Sequence, residues 1–316
     1  MIINMHSHLI HKNMWSEKFF KSFIKTIAMG LNQPEDLVEK TLIPRITKVN
    51  AENYIKAMDE AGIDKGLLMA VDFGLSPAGE AKWTVEEMNH WIADQVNEYP
   101  DKLKALCAVD PRRGEKAINL VEKAVTEWGM VGVKFHPTSG FYPDDPAYFP
   151  LYEKIVELDV PLHSHTSLFS VPLMSGKYAD PMYLDGVAAR FPDMKIVLVH
   201  FGGPAEWMPK CLVSMSARPN VYAELSGHQT SVKYYEKEFI ENLSVILKMI
   251  GVTSGAFNER IFFGTDWPLL EHVMEGKKFV EWFKNLPEKA KEYNINIKKR
   301  DIKKILGENA QKFLKF

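Results

Sequence analysis

The feature that most constrains the fold is a regular alternation of short apolar runs with segments of helical periodicity. Apolar runs that predict buried strands fall at residues 1–8, 64–71, 104–109, 131–137, 160–165, 194–200, 221–226 and 261–265. A helical segment follows each run, and strands that alternate with helices predict a parallel sheet. Eight such units predict an α/β fold, the closed (β/α)₈ TIM barrel, and 316 residues are enough to build one.

The unit after the first strand is longer than the others. Residues 9–30 carry large apolar side chains at roughly helical spacing, which predicts an inserted helical segment after strand 1. Residues 40–50 are predicted to be a connector. Because no linker or short repeat interrupts the alternation, we expect one domain over residues 1–316. The aromatic-rich insertion is also a candidate contact for a homodimer.

Composition and charge exclude several classes of function. The net charge of −2 gives no electrostatic reason to expect binding to nucleic acid or to an anionic membrane surface. No signal peptide and no run of eighteen apolar residues are found, so a cytoplasmic protein without a membrane span is expected. The two cysteines, Cys107 and Cys211, have no Cys-x-x-Cys partner and predict neither a disulfide framework nor a thiolate metal site.

Polar side chains interrupt the apolar runs near their carboxyl ends. The residues concerned are His6 and His8 on strand 1, Lys134 and His136 on strand 4, His163 and His165 on strand 5, His200 on strand 6 and Asp266 after strand 8. In a (β/α)₈ barrel these ends meet at one mouth, where the active site lies. The sequence therefore predicts that these residues converge although no local motif joins them.

The converging residues form a chemically coherent set. Three imidazoles and one carboxylate can hold a divalent ion and leave a position open for water or substrate. His6, His8, His165 and Asp266 fit that need, with zinc as the expected metal. His163 and His165 share one strand face, so alternation leaves the choice between them open, and His165 is preferred because it is closer to the strand end.

Several motifs, in this order, resemble the amidohydrolase superfamily. They are His6-x-His8, Gly132-Val133-Lys134-Phe135-His136-Pro137, Pro161-Leu162-His163-Ser164-His165-Thr166, Val199-His200-Phe201-Gly202-Gly203 and Gly264-Thr265-Asp266-Trp267-Pro268. They are most similar to the amidohydrolase-related branch, which includes aminocarboxymuconate-semialdehyde decarboxylase and related hydrolases. The stretch Ile305-Leu306-Gly307-Glu308-Asn309-Ala310 resembles the C-terminal signature of that branch.

The resemblance implies a metal bound by His6, His8, His165 and Asp266, with His200 as the acid, base or electrophile beside a metal-bound water. In binuclear members of the superfamily a strand-four lysine is carboxylated and bridges two metals. The matching residue, Lys134, could instead bind an anionic group of the substrate. One metal per chain is favoured, and a second metal at Lys134, His165 and His200 is the alternative. His136 is then expected to contact substrate.

Other residues are candidates for contact with a small-molecule substrate. Arg45 and Arg112 could bind a carboxylate, although Arg45 could equally be a solvated connector residue. Trp267 could form a wall of the pocket or simply pack in the core. Glu224 on strand 7 could orient a metal ligand from behind.

Two reactions fit this set of residues. The favoured hypothesis is a metal-dependent hydrolase, in which an activated water attacks a C–N or C–O bond and His200 or Asp266 accepts the proton. The alternative is a non-oxidative decarboxylase on the same scaffold, which needs a lysine or arginine aimed at the substrate carboxylate. A barrel without activity is disfavoured because all four expected ligands and His200 are present.

Overall fold

Eight parallel strands form the centre of the computed structural model, which describes residues 1–168, 171–203 and 207–314. They are β1 Ile3–His8, β2 Lys65–Met69, β3 Leu103–Ala108, β4 Val133–Phe135, β5 Leu162–His165, β6 Ile196–Val199, β7 Val221–Glu224 and β10 Ile261–Phe262. Their order around the sheet is β1-β2-β3-β4-β5-β6-β7-β10. Between β7 and β10, two short strands, β8 Ile250–Gly251 and β9 Gly255–Ala256, pair antiparallel.

Backbone hydrogen bonds join the first strand to the last and close the barrel. The Met5 amide donates to the Phe263 carbonyl at 2.9 Å, and the Asp266 amide donates to the His6 carbonyl at 2.9 Å. Ser7 and Trp267 form a further parallel bridge. The predicted TIM barrel is therefore confirmed, and its closure places β1 directly beside Asp266.

Helices cover the outside of the strands. They are α1 Glu17–Leu31, α2 Glu35–Thr41, α3 Ile43–Thr47, α4 Ala51–Ala61, α5 Val85–Asn97, α6 Glu115–Thr126, α7 Phe149–Glu157, α8 Pro181–Arg190, α9 Met208–Ala217, α10 Gln229–Tyr234, α11 Glu236–Ile246, α12 Gly276–Glu292, α13 Lys299–Lys303 and α14 Asn309–Leu314. None of the helices in the described ranges is both long and apolar enough to cross a membrane.

Local sequence explains where several helices begin and end. Asn50 and Asn53 form a reciprocal capping box at the start of α4, and Gly62, at φ +68°, ends it in the left-handed conformation. The inserted segment is more helical than expected, because residues 40–50 contribute to α2 and α3 rather than forming a connector. That prediction is wrong. Pro44 suggested a connector because proline usually interrupts a helix. Here it lies in the first turn of α3, where proline is well tolerated.

An irregularity in β1 directs the side chains of His6 and His8 towards the mouth of the barrel. Asn4 pairs with Gly66, but Ser7 pairs with Leu68, so β1 holds one extra residue between these positions. Asn4 and Ser7 both contact the Tyr54 hydroxyl of α4, whereas Met5 packs with other strand residues and α14 in a buried apolar cluster. Such bulges commonly redirect side chains beside active sites. Simple alternation along the whole strand would not produce this arrangement.

Candidate metal centre

Seven of the eight predicted mouth residues, all except His163, line one cavity of about 550 Å³ at the carboxyl ends of the strands. The polar residues on its floor are His6, His8, Lys134, His136, His165, His200 and Asp266. All of them are largely buried. The convergence expected from the sequence is therefore present in the structure.

His6, His8 and Asp266 form the tightest group. His6 Nε2 lies 2.9 Å from His8 Nε2, and Asp266 Oδ1 lies 3.2 Å from His8 Nε2 and 3.7 Å from His6 Nε2. Asp266 adopts a left-handed backbone conformation with φ +55°, which is rare for a residue with a side chain and common at functional sites. The three ligand atoms are close enough to share one ion.

The other ring nitrogen of each β1 histidine is bonded to an acceptor. His6 Nδ1 lies 2.9 Å from a Glu224 carboxylate oxygen, and His8 Nδ1 lies 3.0 Å from the Met69 carbonyl. Carboxylates and carbonyls only accept, so both Nδ1 atoms carry the proton. The Nε2 lone pairs of both rings are therefore directed towards Asp266. Metal-binding histidines typically use this arrangement.

The same argument assigns tautomers to His165 and His200. His165 Nε2 donates to the Ser167 carbonyl at 2.9 Å, which makes Nδ1 the atom with a lone pair. His200 Nδ1 lies 2.8 Å from Ser226 Oγ and 3.2 Å from the Ser226 carbonyl. Because Ser226 Oγ donates to Glu224, it accepts from His200, and His200 Nε2 carries the lone pair.

His165 is not part of the tight group. Its ring centroid is 4.7 Å from that of His200, whose ring is in turn stacked 4.9 Å from His6. His165 still lines the cavity, whereas His163, the alternative on the same strand, does not line it and packs 6.3 Å from Phe313. The preference for His165 over His163 therefore agrees with the geometry.

This set of residues fits a divalent metal ion. Imidazole nitrogens and a carboxylate converge, and the imidazole tautomers are already fixed with lone pairs available. A second group of potential ligands, His6, His200 and Glu224, also lies close together. It fits poorly, because the Glu224 oxygen nearest these rings faces the protonated Nδ1 atoms of both.

Glu224 is completely buried and is held by four donors. It accepts hydrogen bonds from His6 Nδ1, the His200 amide, the Ser226 amide and the Ser226 hydroxyl, at 2.6–2.9 Å. The sequence suggested that Glu224 orients a metal ligand, and its contacts agree. The bridging of Glu224 and His200 by Ser226 was not predicted, since a single serine at a strand end has no distinctive sequence pattern.

Glycines make room for this network. A Cβ at Gly264 would lie 2.3 Å from Glu224 Oε2 and 3.1 Å from His6 Cβ. A Cβ at Gly227 would lie 3.2 Å from His200 Nδ1, and this glycine also has φ +86°. His200 itself has φ +68°. The histidine is thus held in a strained backbone conformation, with Gly227 packed against its ring.

Burial controls the charge of the floor. It lowers the pKa values of His6, His136, His165 and His200 well below their usual range, and nearby cationic groups add to the shift. Neutral imidazoles are the form that binds metal. Burial also lowers the pKa of Lys134 from 10.5 to about 8, although the Glu224 and Asp266 carboxylates oppose the shift.

Lys134 Nζ is buried and finds no hydrogen-bond partner among the described residues. Its place on the cavity floor agrees with either role predicted for it, contact with a substrate anion or part of a second metal site with His200. His136 also lines the cavity, with its ring stacked 4.0 Å from that of His165. Both residues are therefore within the site, as expected.

Three predicted substrate contacts lie elsewhere. Arg45 is exposed on α3 and does not line the cavity, because the insertion is helical there. Arg112 is paired with Asp110 at 2.6 Å and bonded to the Ser139 and Gly140 carbonyls, which turns it away from the floor. Trp267 packs 4.9 Å from Tyr54 and lines a different, smaller cavity. The structure therefore does not bring these three residues to the cavity floor.

Comparison with known proteins bears on the reaction. The chain is 25% identical over 309 residues to gamma-resorcylate decarboxylase of Polaromonas sp., covering 84% of this chain and 87% of the relative. It is 24% identical over 247 residues to 2-amino-3-carboxymuconate-6-semialdehyde decarboxylase of Dictyostelium discoideum, covering 72% and 65%. Other relatives include further decarboxylases and a 2-keto-4-carboxy-3-hexenedioate hydratase from Sphingobium sp..

A solved structure shares the fold. Dihydroxybenzoic acid decarboxylase from Polaromonas sp., with bound manganese and the inhibitor 2-nitroresorcinol, superimposes with a TM-score of 0.63. The alignment covers 99% of this chain and 96% of the other, at 20% identity. At this identity the similarity establishes the barrel rather than the substrate.

The favoured hypothesis of a hydrolase is wrong. The relatives named above that match more than 70% of the chain are decarboxylases, and they support the alternative hypothesis. The ligand set did not distinguish the two reactions, because the same barrel mouth and the same donors can serve either chemistry. The chain is nevertheless an enzyme that acts on a small molecule, and it carries a site for a divalent metal. The sequence profile of the amidohydrolase family matches residues 3–316, and the chain belongs to that family.

Proposed function

We propose that this enzyme is a metal-dependent non-oxidative decarboxylase of a small carboxylic acid. The observation that carries the proposal is Lys134, a buried ammonium group without a hydrogen-bond partner among the described residues, on the same cavity floor as His6, His8 and Asp266. A buried charge of this kind is costly unless a counter-charge arrives. A substrate carboxylate would provide one.

The proposed ligands of the ion are His6, His8, His165 and Asp266. When bound, a divalent ion would supply positive charge that orients the substrate carboxylate and stabilises negative charge during the reaction. The nitrogen-rich ligand set suits zinc, whereas the related dihydroxybenzoic acid decarboxylase binds manganese. Zinc therefore remains a prediction, to be tested directly against manganese.

The reaction needs a proton at one carbon atom. The bond from this carbon to the carboxyl group breaks, carbon dioxide leaves, and the electron pair stays on the carbon until a proton arrives. We assign proton transfer to His200, because Ser226 holds its Nδ1–H and leaves Nε2 as the exchangeable site, which would take up a proton from solvent and pass it to the carbon atom. Lys134 would bind the substrate oxygens by charge. Asp266 would help to hold the metal and could share the proton.

The test is direct measurement of carbon dioxide. Purified protein is loaded with zinc or with manganese and incubated with hydroxybenzoic acids that carry a ring alkyl group or none, and both carbon dioxide and the decarboxylated product are quantified. We expect equal amounts of both from at least one acid, and neither with His200→Asn. Metal-loaded protein that converts these acids without releasing carbon dioxide, or converts none of them, would contradict the proposal.

A further inference from the structure

The upper wall of the cavity differs from its floor. Above the histidines the wall is apolar and comes from separate parts of the chain, including Phe23 and Ile27 of α1, Phe73 after β2, and Leu270 after β10. Phe23 and Phe73 are buried, and Ile27 and Leu270 are partly buried. The inserted helix α1 therefore forms part of the binding cavity as well as packing on the barrel.

Two lysines are among the described residues that line the cavity. Lys134 lies on the floor, and Lys233 of α10 is exposed among the lining residues. Among the described residues, no arginine lines this cavity. A second carboxylate on the substrate would therefore face apolar side chains along most of the wall, and burying an unpaired charge there would be strongly unfavourable.

The cavity is also large for a single-ring acid. At about 550 Å³ it falls within the range of about 300–1,000 Å³ that encloses drug-sized ligands. A ring with its carboxylate on the floor would leave much of the α1 wall uncovered. Uncovered apolar wall contributes nothing to binding, whereas covering it would stabilise a complex by the hydrophobic effect.

We propose that the substrate is an aromatic monocarboxylic acid bearing an apolar substituent of several carbon atoms, which points away from the carboxylate and packs against α1. This inference rests on the proposed function, because that function places the carboxylate beside Lys134. It adds the class of substrate. The substituent contacts Phe23 and Ile27, and the ring lies between them and the histidine floor.

The test uses 4-n-alkylbenzoates, from benzoate to hexylbenzoate. They carry the carboxylate and the apolar chain but have no ring hydroxyl or amino group, so binding can be measured by calorimetry without turnover. Each buried methylene contributes about 0.8 kcal/mol, which is about fourfold in affinity. We expect the Kd for metal-loaded protein to fall about fourfold per methylene over the first few carbons.

Variants locate the effect on α1. Ile27→Asp should reduce the increase in affinity to less than twofold per methylene. Met29→Asp, on the same helix but 74% exposed and outside the cavity, should keep the full gain. Because an aspartate at position 27 could destabilise the helix, Ile27→Trp provides a second variant. It should fill the space beside α1 and weaken binding of hexylbenzoate more than that of benzoate.

The possible outcomes separate this inference from the proposed function. A Kd that does not change with chain length, or no binding of any member up to millimolar concentration, would overturn the inference even if simple hydroxybenzoates lose carbon dioxide. An affinity that rises with alkyl chain length, without decarboxylation of any acid, would support the binding of the substituent to the apolar wall. It would contradict only the proposed reaction. An equal loss of the gain in Met29→Asp and Ile27→Asp would also overturn the inference.

Discussion

The Glu224 carboxylate accepts a hydrogen bond from His6 Nδ1 at 2.9 Å, although 218 residues separate the two in the sequence. This contact fixes the tautomer of an expected metal ligand. The same carboxylate accepts from the His200 amide and from Ser226. One buried group thereby positions both the expected metal ligand and the residue to which we assign proton delivery.

Glu224→Gln should weaken metal binding by about 10–100-fold, as is typical when the acceptor behind a metal-bound histidine is lost. The four contacts of Glu224 are all donors, so an amide NH₂ in this position would face a donor. Competition with a chelating dye measures the affinity. Glu238→Gln, an exposed change on α11, is the control. Equal affinity in both variants would show that Glu224 has no part in orienting the ligand.

His200→Asn should abolish turnover while leaving the metal content near one equivalent per chain. His200 lies outside the tight group of His6, His8 and Asp266, so its loss should not remove their ion. Elemental analysis of wild type and variant checks both values. Two equivalents in the wild type, with loss of one in the variant, would instead support the second site at Lys134 and His200.

Lys134→Met should stabilise the metal-free protein at pH 7 and abolish decarboxylation. The pKa of Lys134 is about 8 in the folded protein, against 10.5 for a lysine in the unfolded chain. The unfolded chain therefore binds more protons between these values, and wild-type stability should rise across that interval. Below pH 8 the cost of the buried charge is fully present, about 3 kcal/mol for a shift of this size.

Urea unfolding at pH 7 and pH 10 measures this difference. The gain of the methionine variant over wild type should be largest at pH 7 and should shrink as wild-type Lys134 loses its proton. A gain that does not change with pH would point to better packing of methionine and would contradict a charged Lys134 in the folded protein at pH 7.

Arg45→Gln and Arg112→Gln form a matched pair away from the floor. Asp110 is fully buried, and loss of its partner Arg112 should destabilise the protein by about 3 kcal/mol. Arg45 is exposed, so its loss should change stability by less than about 0.5 kcal/mol. Thermal unfolding measures stability, and KM for the substrate should stay the same in both variants. A tenfold rise in KM for either would restore that arginine as a substrate contact.

The sequence predicted the barrel and its mouth because strand ends carry a strong chemical signal. Apolar runs that stop at histidine, lysine or aspartate identify both a buried strand and its active end. The sequence did not show that Arg45 and Arg112 lie away from the cavity floor, because side-chain partners decide where an arginine points. Arg112 pairs with an aspartate only two residues away, and no pattern in the sequence distinguishes that pairing from one with substrate.

The bulge in β1 could not be predicted from the sequence either. His6 and His8 were expected to share a face by simple alternation, and both do line the cavity. The reason is an extra residue between Asn4 and Ser7, which depends on pairing with β2 and on the contact of both side chains with Tyr54. Such a register change involves residues from distant parts of the chain.

Barrel closure has a consequence for biosynthesis. The ring closes where β1 meets the segment after β10, and the same junction brings His6 and His8 to Asp266. During translation the two histidines emerge about 260 positions before their carboxylate partner. Until then the nascent chain can offer an ion only an incomplete set of ligands. The complete set of expected ligands is therefore available only after residue 266 has been synthesised.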